Sequence, residues 1–312
     1  MKQQLTTSNG EISSQLIFGT MQFGGDADVG EATAMFEACL EAGINHFDTA
    51  NVYCDGKSEY ILSKLASDRR EDLMIASKVG YSGGHSRSNL NSQFSDTRRR
   101  LGADAIDVIY LHRFDPESPL TATFEFLAEL QEKKRIRYIG VSNFAAWQIM
   151  KAQAAAEKVG TRIDIVQPMY SLVKRQTEVE ILPMCADQGL EIATYSPLGS
   201  GLLTGKYGRA GATGRLVTDQ RYGARYGQAW MHETAKGLSA LSKELGVPPA
   251  TLAVAWVMSH PLGPKPIISA RSLEQLRPSL EASSFDMTAQ MRARISELSR
   301  TPPPATDRIE EQ

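Results

Sequence analysis

Cysteine is scarce in this 312-residue chain, with only Cys39, Cys54 and Cys185, and the three show no metal-like spacing. So sparse and odd a count argues against a disulfide scaffold and fits a reducing compartment. An excess of one charge is also missing. The 34 Lys and Arg against 36 Asp and Glu leave a net charge of −2, without the basic surplus of a nucleic-acid or membrane-surface binder. No apolar run approaches the ~18 residues of a membrane span. The polar start, Met1 to Gly10, carries no apolar signal-peptide core. The expectation is a cytoplasmic protein with no membrane, nucleic-acid or metal partner. A G-x-G-x-x-G loop after a strand is lacking too, which argues against a doubly wound dinucleotide-binding sheet. What is present is apolar residues, 42% of the chain, ample for a large core.

Those residues fall in short runs that alternate with amphipathic stretches. Strands are predicted at Ile17–Thr20, Ile44–Asp48, Leu73–Lys78, Ile106–His112, Arg137–Val141, Asp164–Gln167, Leu190–Tyr195 and Pro266–Ser269. Most are continuously apolar, as parallel strands buried on both faces must be. Helical spacing is found at Glu31–Glu41, Ser58–Leu65, Leu90–Leu101, Leu120–Lys133, Ala145–Lys158 and Thr177–Gln188. It recurs at Glu233–Leu245, Pro249–Met258, Leu273–Ala282 and Thr288–Leu298. Eight such βα units predict a (β/α)8 TIM barrel spanning residues 1–312 as one domain. Asn9-Gly10 between short alternating runs signals a hairpin within residues 1–15, placed to cap the barrel floor. Residues 198–230 read as a long Gly- and Arg-rich loop, a length that is usually functional. Residues 301–312 read as a loose polar tail.

Catalytic groups of such a barrel lie at the C-terminal ends of its strands. The second strand ends in Asp48, with Tyr53 in the following loop, the third in Lys78 and the fourth in His112. Ser142 and Asn143 follow the fifth, Gln167 ends the sixth, and Tyr195 and Ser196 close the seventh. This set is chemically legible. A free tyrosine titrates near 10 and is a poor acid at neutrality, but a nearby ammonium such as Lys78 lowers that value. Asp48 would hold Lys78 charged and oriented. His112 would hydrogen-bond a carbonyl oxygen or relay a proton. Tyr53 would protonate an oxygen as negative charge develops on it. The chemistry suits carbonyl reduction by hydride transfer or its reverse, and the hydride must come from a cofactor.

The blocks GTMQFGG (19–25), GINHFDTANVY (43–53), IASKVG (75–80), DVIYLHRFDP (107–116), IRYIGVSNF (136–144) and ATYSPLGSGLLTGKY (193–207) closely resemble the aldo-keto reductases, from about residue 15 to about residue 285. The resemblance implies a (β/α)8 barrel, bound NADP(H), and reduction of aldehydes and ketones, with Asp48, Tyr53, Lys78 and His112 as the catalytic four. It places Ser142, Asn143 and Gln167 on the nicotinamide carboxamide and Tyr195 against the ring. Ser196, Pro197, Leu198, Gly199, Ser200 and Leu203 would wrap the pyrophosphate, with Lys206 adding charge. Gly19, Thr20 and Met21 join the cofactor set. ISARSLEQL implies Arg271 at a 2′-phosphate, where its fork suits two charge-assisted bonds, and Gln275 at the adenosine. Ser269 and Ser279 depart from the usual Gly and Asn of that stretch.

Phe23, Tyr81 and Phe114 are expected to wall the substrate pocket, with Met21 and Trp230 nearby. The chain stops soon after its last predicted helix, so an open and tolerant pocket is expected, for a small carbonyl or alcohol substrate. Other signals have blander readings. His46 points into the barrel as packing. His232-Glu233 lacks the second His of a zinc motif. Gly205-Lys206 is a near miss to a phosphate-binding loop. Cys54 is an oxidisable thiol or a passive loop residue. Arg209, Arg215, Arg221 and Arg225 clamp an anion or decorate a solvated loop. Two alternatives to a reductase stay open: a sugar or alcohol dehydrogenase running oxidatively, and a redox sensor with little turnover like the potassium-channel β subunits, which are similar to this family.

Overall fold

The computed structural model describes residues 4–208, 211–308 and 310. Eight parallel strands close into a barrel in sequence order: β1 (Ile17–Gly19), β2 (His46–Asp48), β3 (Met74–Val79), β4 (Ile106–Leu111), β5 (Ile136–Ser142), β6 (Ile165–Gln167), β7 (Glu191–Tyr195) and β8 (Lys265–Ile268). β8 pairs back onto β1, with Ile17 opposite Ile267. Register fixes which side chains point inward. Ile17, Met74, Ala76, Val108, Tyr110, Ile165, Ala193 and Ile267 form an inner cluster. The alternate residues Phe18, Phe47, Ile75, Ile109, Ile139, Val166, Ile192 and Ile268 pack outward against the helices. Strands buried on both faces must be apolar throughout, so a polar residue in one stands out.

Most predicted helices are present within a residue or two, including Val29–Glu41, Lys57–Ala66 and Leu120–Glu132, while the one predicted from Leu90 begins three residues earlier, at Arg87–Leu101. The segment predicted over Thr177–Gln188 is shorter. It has a 3-10 turn at Gln176–Glu178 and a helix only over Ile181–Asp187. Pro183 is the reason: its ring conflicts with the carbonyl four residues back, so no helix runs through from residue 177. Residues 198–230 are not one irregular loop. They contain 3-10 turns at Leu202–Thr204 and Lys206–Gly208, helices at Arg215–Thr218 and Gln220–Tyr226, and the start of the helix Ala229–Leu245. Asp219 caps the second of these helices by accepting from Arg221 N at 2.9 Å. Arg209 lies outside the described residues.

At the barrel floor, residues 5–13 double back. Ser13 N donates to Leu5 O at 2.9 Å and Thr7 N to Glu11 O at 2.8 Å. A lone antiparallel bridge, Thr6 to Ile12, takes the place of a two-stranded ladder. Residues 1–3 of the expected hairpin are outside the described residues. Leu5 is fully buried in the inner cluster, closing the barrel from below. Beside it lies a buried ion pair, Lys265 to Glu191 at 2.5 Å. Lys265 Nζ also donates to Ser13 O at 2.9 Å. His46 is fully buried there as expected, with Nδ1 2.9 Å from Ser13 Oγ. Of the tail, residues 301–308 hold no regular helix or strand.

Candidate active site

At the other end of the barrel the chain breaks its apolar pattern at the strand ends. Asp48 closes β2 and Lys78 lies one residue before the end of β3, and both point inward. They form a buried ion pair whose side chains are 4% and 1% exposed. Lys78 Nζ also donates to Thr49 O at 2.7 Å and lies 3.5 Å from the Tyr53 hydroxyl. The second Asp48 oxygen accepts from Gln167 Nε2 at 2.8 Å. His112 follows β4, its ring 6.1 Å from that of Tyr53 and nearly perpendicular to it. The four residues expected from strand ends therefore meet at one point.

Their titration follows from burial and charge. For Lys78 burial is the largest influence and pulls the value down, but Asp48 and Tyr53 outweigh it, so Lys78 is held above its ordinary value and charged. Tyr53 departs from the expectation of an acidified phenol. Burial raises it more than Lys78 lowers it, so its net shift is upward. Tyr53 is thus protonated at neutral pH. His112 is pushed down to about 3 by burial, then by Lys78 and Arg113. It is a neutral imidazole, fit to donate a hydrogen bond and not to serve as a cationic acid.

The next ring of residues is gathered as expected. Tyr195 OH donates to Asn143 Oδ1 at 2.6 Å. Asn143 Nδ2 donates to His112 O at 2.9 Å, and Ser142 Oγ to Gln167 O at 3.0 Å. Asn143 and Ser196 both adopt positive φ, 58° and 61°, which turns the chain sharply off β5 and β7 so that these side chains converge. Gly199 (φ 54°), Ser200 (φ 57°) and Gly201 (φ 88°) continue a tight turn after Pro197 and Leu198, closed by Gly199 N donating to Ser196 O at 2.9 Å and Gly201 N to Leu198 O at 3.0 Å. The Lys206 ammonium lies 4.9 Å from the Tyr207 ring centroid. Arg271, 39% exposed, meets Asp26 at 3.1 Å. Gln275 and Ser269 are exposed near it, and Met21 is half-buried.

Several expected contacts are closed off. Phe23 is fully buried, its ring 5.6 Å from Phe18 in the outer core. The turn at 22–27 folds it inward, so it packs and does not wall a pocket. Leu203 is buried in the same core, leaving only its backbone for a ligand. Ser279 is buried with Leu276 on the inner face of the helix Leu273–Leu280, three residues apart as helix geometry requires. Gly19 lies against Ile267, and Thr20 Oγ1 is held by Ser58 at 2.7 Å, so these two serve as spacing. Trp230 sits under Arg300, 5.4 Å away.

Beside the expected Tyr81 and Phe114 lie Trp147, Phe144 and Tyr222, which strand ends could not reveal. Trp147 is 62% exposed, and its ring is 5.9 Å from Phe114, itself 5.3 Å from Phe144. Tyr81 lies 5.0 Å from His112 with Arg113 over its face at 5.2 Å. Tyr222 is near enough to raise Tyr53 slightly, with Arg215 and Arg225 each 5.4 Å from its ring. Arg221 instead pairs with Asp219 at 2.8 Å. Among the described residues no helix is long and apolar enough to cross a membrane.

Comparison with known proteins places the chain in a family. Over 289 residues the chain is 34% identical to a probable voltage-gated potassium channel subunit beta of Oryza sativa subsp. japonica, covering 86% of this chain and 87% of the relative. It is 33% identical to the uncharacterized oxidoreductase YrpG of Bacillus subtilis (strain 168), covering 91% and 92%. Aflatoxin B1 aldehyde reductase member 2 of Rattus norvegicus is 30% identical, covering 86% and 79%. The sequence profile of the Aldo/keto reductase family matches residues 15–300. With that match spanning barrel and strand-end residues alike, the chain belongs to the aldo/keto reductase family.

Proposed function

We propose that this protein is an NADP(H)-dependent reductase of small aldehydes and ketones, with Tyr53 as the proton donor. The observation that carries the proposal is the Tyr53 hydroxyl 3.5 Å from an ammonium that is itself paired with a buried carboxylate. A charged Lys78 stabilises the phenolate as it forms, so the proton is released when the carbonyl oxygen gains negative charge. Neutral His112 supports the same oxygen by hydrogen bonding. Asp48 fixes Lys78 in place, and Gln167 fixes Asp48.

The residues present fit a nicotinamide cofactor. Asn143 and Gln167 offer side-chain amides for a carboxamide, and Tyr195 offers a flat face beside them. The positive-φ turn at 199–201 lets the backbone approach a pyrophosphate closely, and Arg271 offers a guanidinium to a further phosphate. When bound, that cofactor supplies the hydride. Tyr81, Phe114 and Trp147 form an aromatic rim suited to aldehydes with apolar bodies. The name of the rat relative, an aldehyde reductase, points the same way.

The test is NADPH consumption with a panel of aldehydes, ketones and sugars, run beside Tyr53→Phe. Wild-type turnover, with loss of roughly 100- to 10,000-fold in the mutant and unchanged NADPH affinity, is the expected result. Unchanged turnover in Tyr53→Phe would sink the mechanism. The similarity to the rice channel subunit favours one second reading, a sensor that binds NADPH and turns over negligibly on every carbonyl in the panel.

A further inference from the structure

We propose that Gln93, Arg100 and Glu59 are positioning residues that hold Tyr53 against Lys78. This rests on the reading of Tyr53 as proton donor. Tyr53 opens a short distorted 3-10 turn, Tyr53–Gly56, in the loop between β2 and the helix Lys57–Ala66. Residues Cys54 and Asp55 take positive φ, 47° and 54°, a conformation disfavoured for residues with a Cβ. Such a loop stays put only if its surroundings hold it.

The holding is done from the helix Arg87–Leu101. Gln93 and Arg100, seven residues apart, share one face of it. The Gln93 side chain lies between the two catalytic segments. Its Oε1 accepts from Asn51 Nδ2 at 2.9 Å, two residues before Tyr53, and from Gly80 N at 2.8 Å, two residues after Lys78. Its Nε2 donates to Ser82 O at 3.0 Å. One neutral amide thereby fixes the distance between the loop of the acid and the strand of the ammonium. Asn51 N reaches Lys78 O at 3.3 Å, a direct link between the same two segments.

Two turns further on, Arg100 Nη1 donates to Asn51 O at 3.0 Å and to Glu59 Oε2 at 3.2 Å. Glu59 is fully buried, and its other oxygen accepts from Ser77 Oγ at 2.6 Å, beside Lys78. The Arg100 guanidinium also lies directly against Gly56 (φ 85°), where any Cβ would collide with it. The loop is therefore gripped at residue 51 and at residue 56, with Tyr53 between. None of these three side chains contacts the Tyr53 hydroxyl or the Lys78 ammonium, so any effect on turnover must act through position.

Gln93→Leu and Arg100→Ala test this, with Arg99→Ala as a control on the same helix, since that side chain is 74% exposed and pairs with Asp96 on the surface. Gln93→Leu is the safer variant, because Arg100→Ala leaves Glu59 buried without its cation. Expected are a fall in kcat of about tenfold or more and a KM and NADPH affinity within about twofold of wild type. Arg99→Ala should match wild type. Independently of turnover, Tyr53 is followed by fluorine NMR of protein grown on 3-fluorotyrosine, its line identified by its absence in Tyr53→Phe. That line should move or broaden in Gln93→Leu and in Arg100→Ala. An unmoved line with wild-type kcat, even with lowered thermal stability, would overturn the proposal. Should wild type reduce no carbonyl, the proposed reaction fails, while the Tyr53 line still decides whether the loop is held by these residues.

Discussion

The two ends of the barrel hold the same device, a buried carboxylate paired with a buried lysine, and put it to different use. At the floor, Glu191 and Lys265 face each other beneath the inner cluster, and the Ser13 carbonyl takes a further Lys265 proton. Leu5 closes the space below. At the rim, Asp48 and Lys78 are equally dry, yet the ammonium keeps the Tyr53 hydroxyl within reach. A buried ion pair is therefore weak evidence of function by itself, and often of stability too. What separates the ends is the third partner. A backbone carbonyl cannot exchange a proton usefully, and a phenol can.

Breaking each pair should separate the two roles. Lys78→Met at the rim should cost roughly 100- to 10,000-fold in kcat, checked by steady-state kinetics, with NADPH affinity changed far less. Lys265→Met at the floor should destabilise the protein by about 3–5 kcal/mol, because Glu191 is left buried without its cation. Urea unfolding measures this, and turnover per folded molecule should stay near wild type. Replacing both, as Glu191→Leu with Lys265→Met, should restore most of that stability. Failure of the double variant to recover would mean that the floor pair does more than neutralise itself.

Acid and alkali should also find different ends. Burial holds His46 down at about 3, with Lys265 and Lys78 adding to the effect. The unfolded chain then binds the extra proton, so His46's contribution is fully present above about pH 6.5 and is lost as pH falls toward 3. The slope is at most about 1.4 kcal/mol per pH unit for one such group. His46→Gln should make acid unfolding shallower, although His112 contributes over the same window. Turnover, in contrast, should decline only at alkaline pH if Tyr53 is the acid as proposed, because its titration is raised and the proposed donor must be protonated. An inflection in kcat near pH 6 to 7 would contradict this. The smallest effect is expected at the surface of the rim. Trp147→Ala should raise KM severalfold for aromatic aldehydes and leave kcat and small aliphatic aldehydes nearly untouched.

The rim was legible in the sequence because polar residues ending apolar strands are conspicuous. Asp48, Lys78, His112 and Gln167 each interrupt such a run at a position where a barrel gathers its loops. The floor was not legible for a related reason. Glu191 and Lys265 begin their strands, where a charged residue looks like an ordinary solvated flank. Phe23 was misplaced because position in a loop says nothing of which way a tight turn folds. The helices at Arg215–Thr218 and Gln220–Tyr226 were hidden by the glycines around them. Gln93, Arg100 and Glu59 carry no signal at all, since Gln, Arg and Glu on helices normally face water and only the tertiary fold turns these three inward.

The Ser13 carbonyl also sets an order of events. Its partner Lys265 lies 252 residues later in the chain. During synthesis at roughly 5–20 residues per second, the turn at residues 5–13 must wait tens of seconds for the lysine that anchors it. Until then Leu5 has no sealed interior to enter and β1 has no β8 to pair with. A segment made 252 residues before its anchor is therefore among the last to settle, and nascent chains halted before residue 265 should leave it open to proteases.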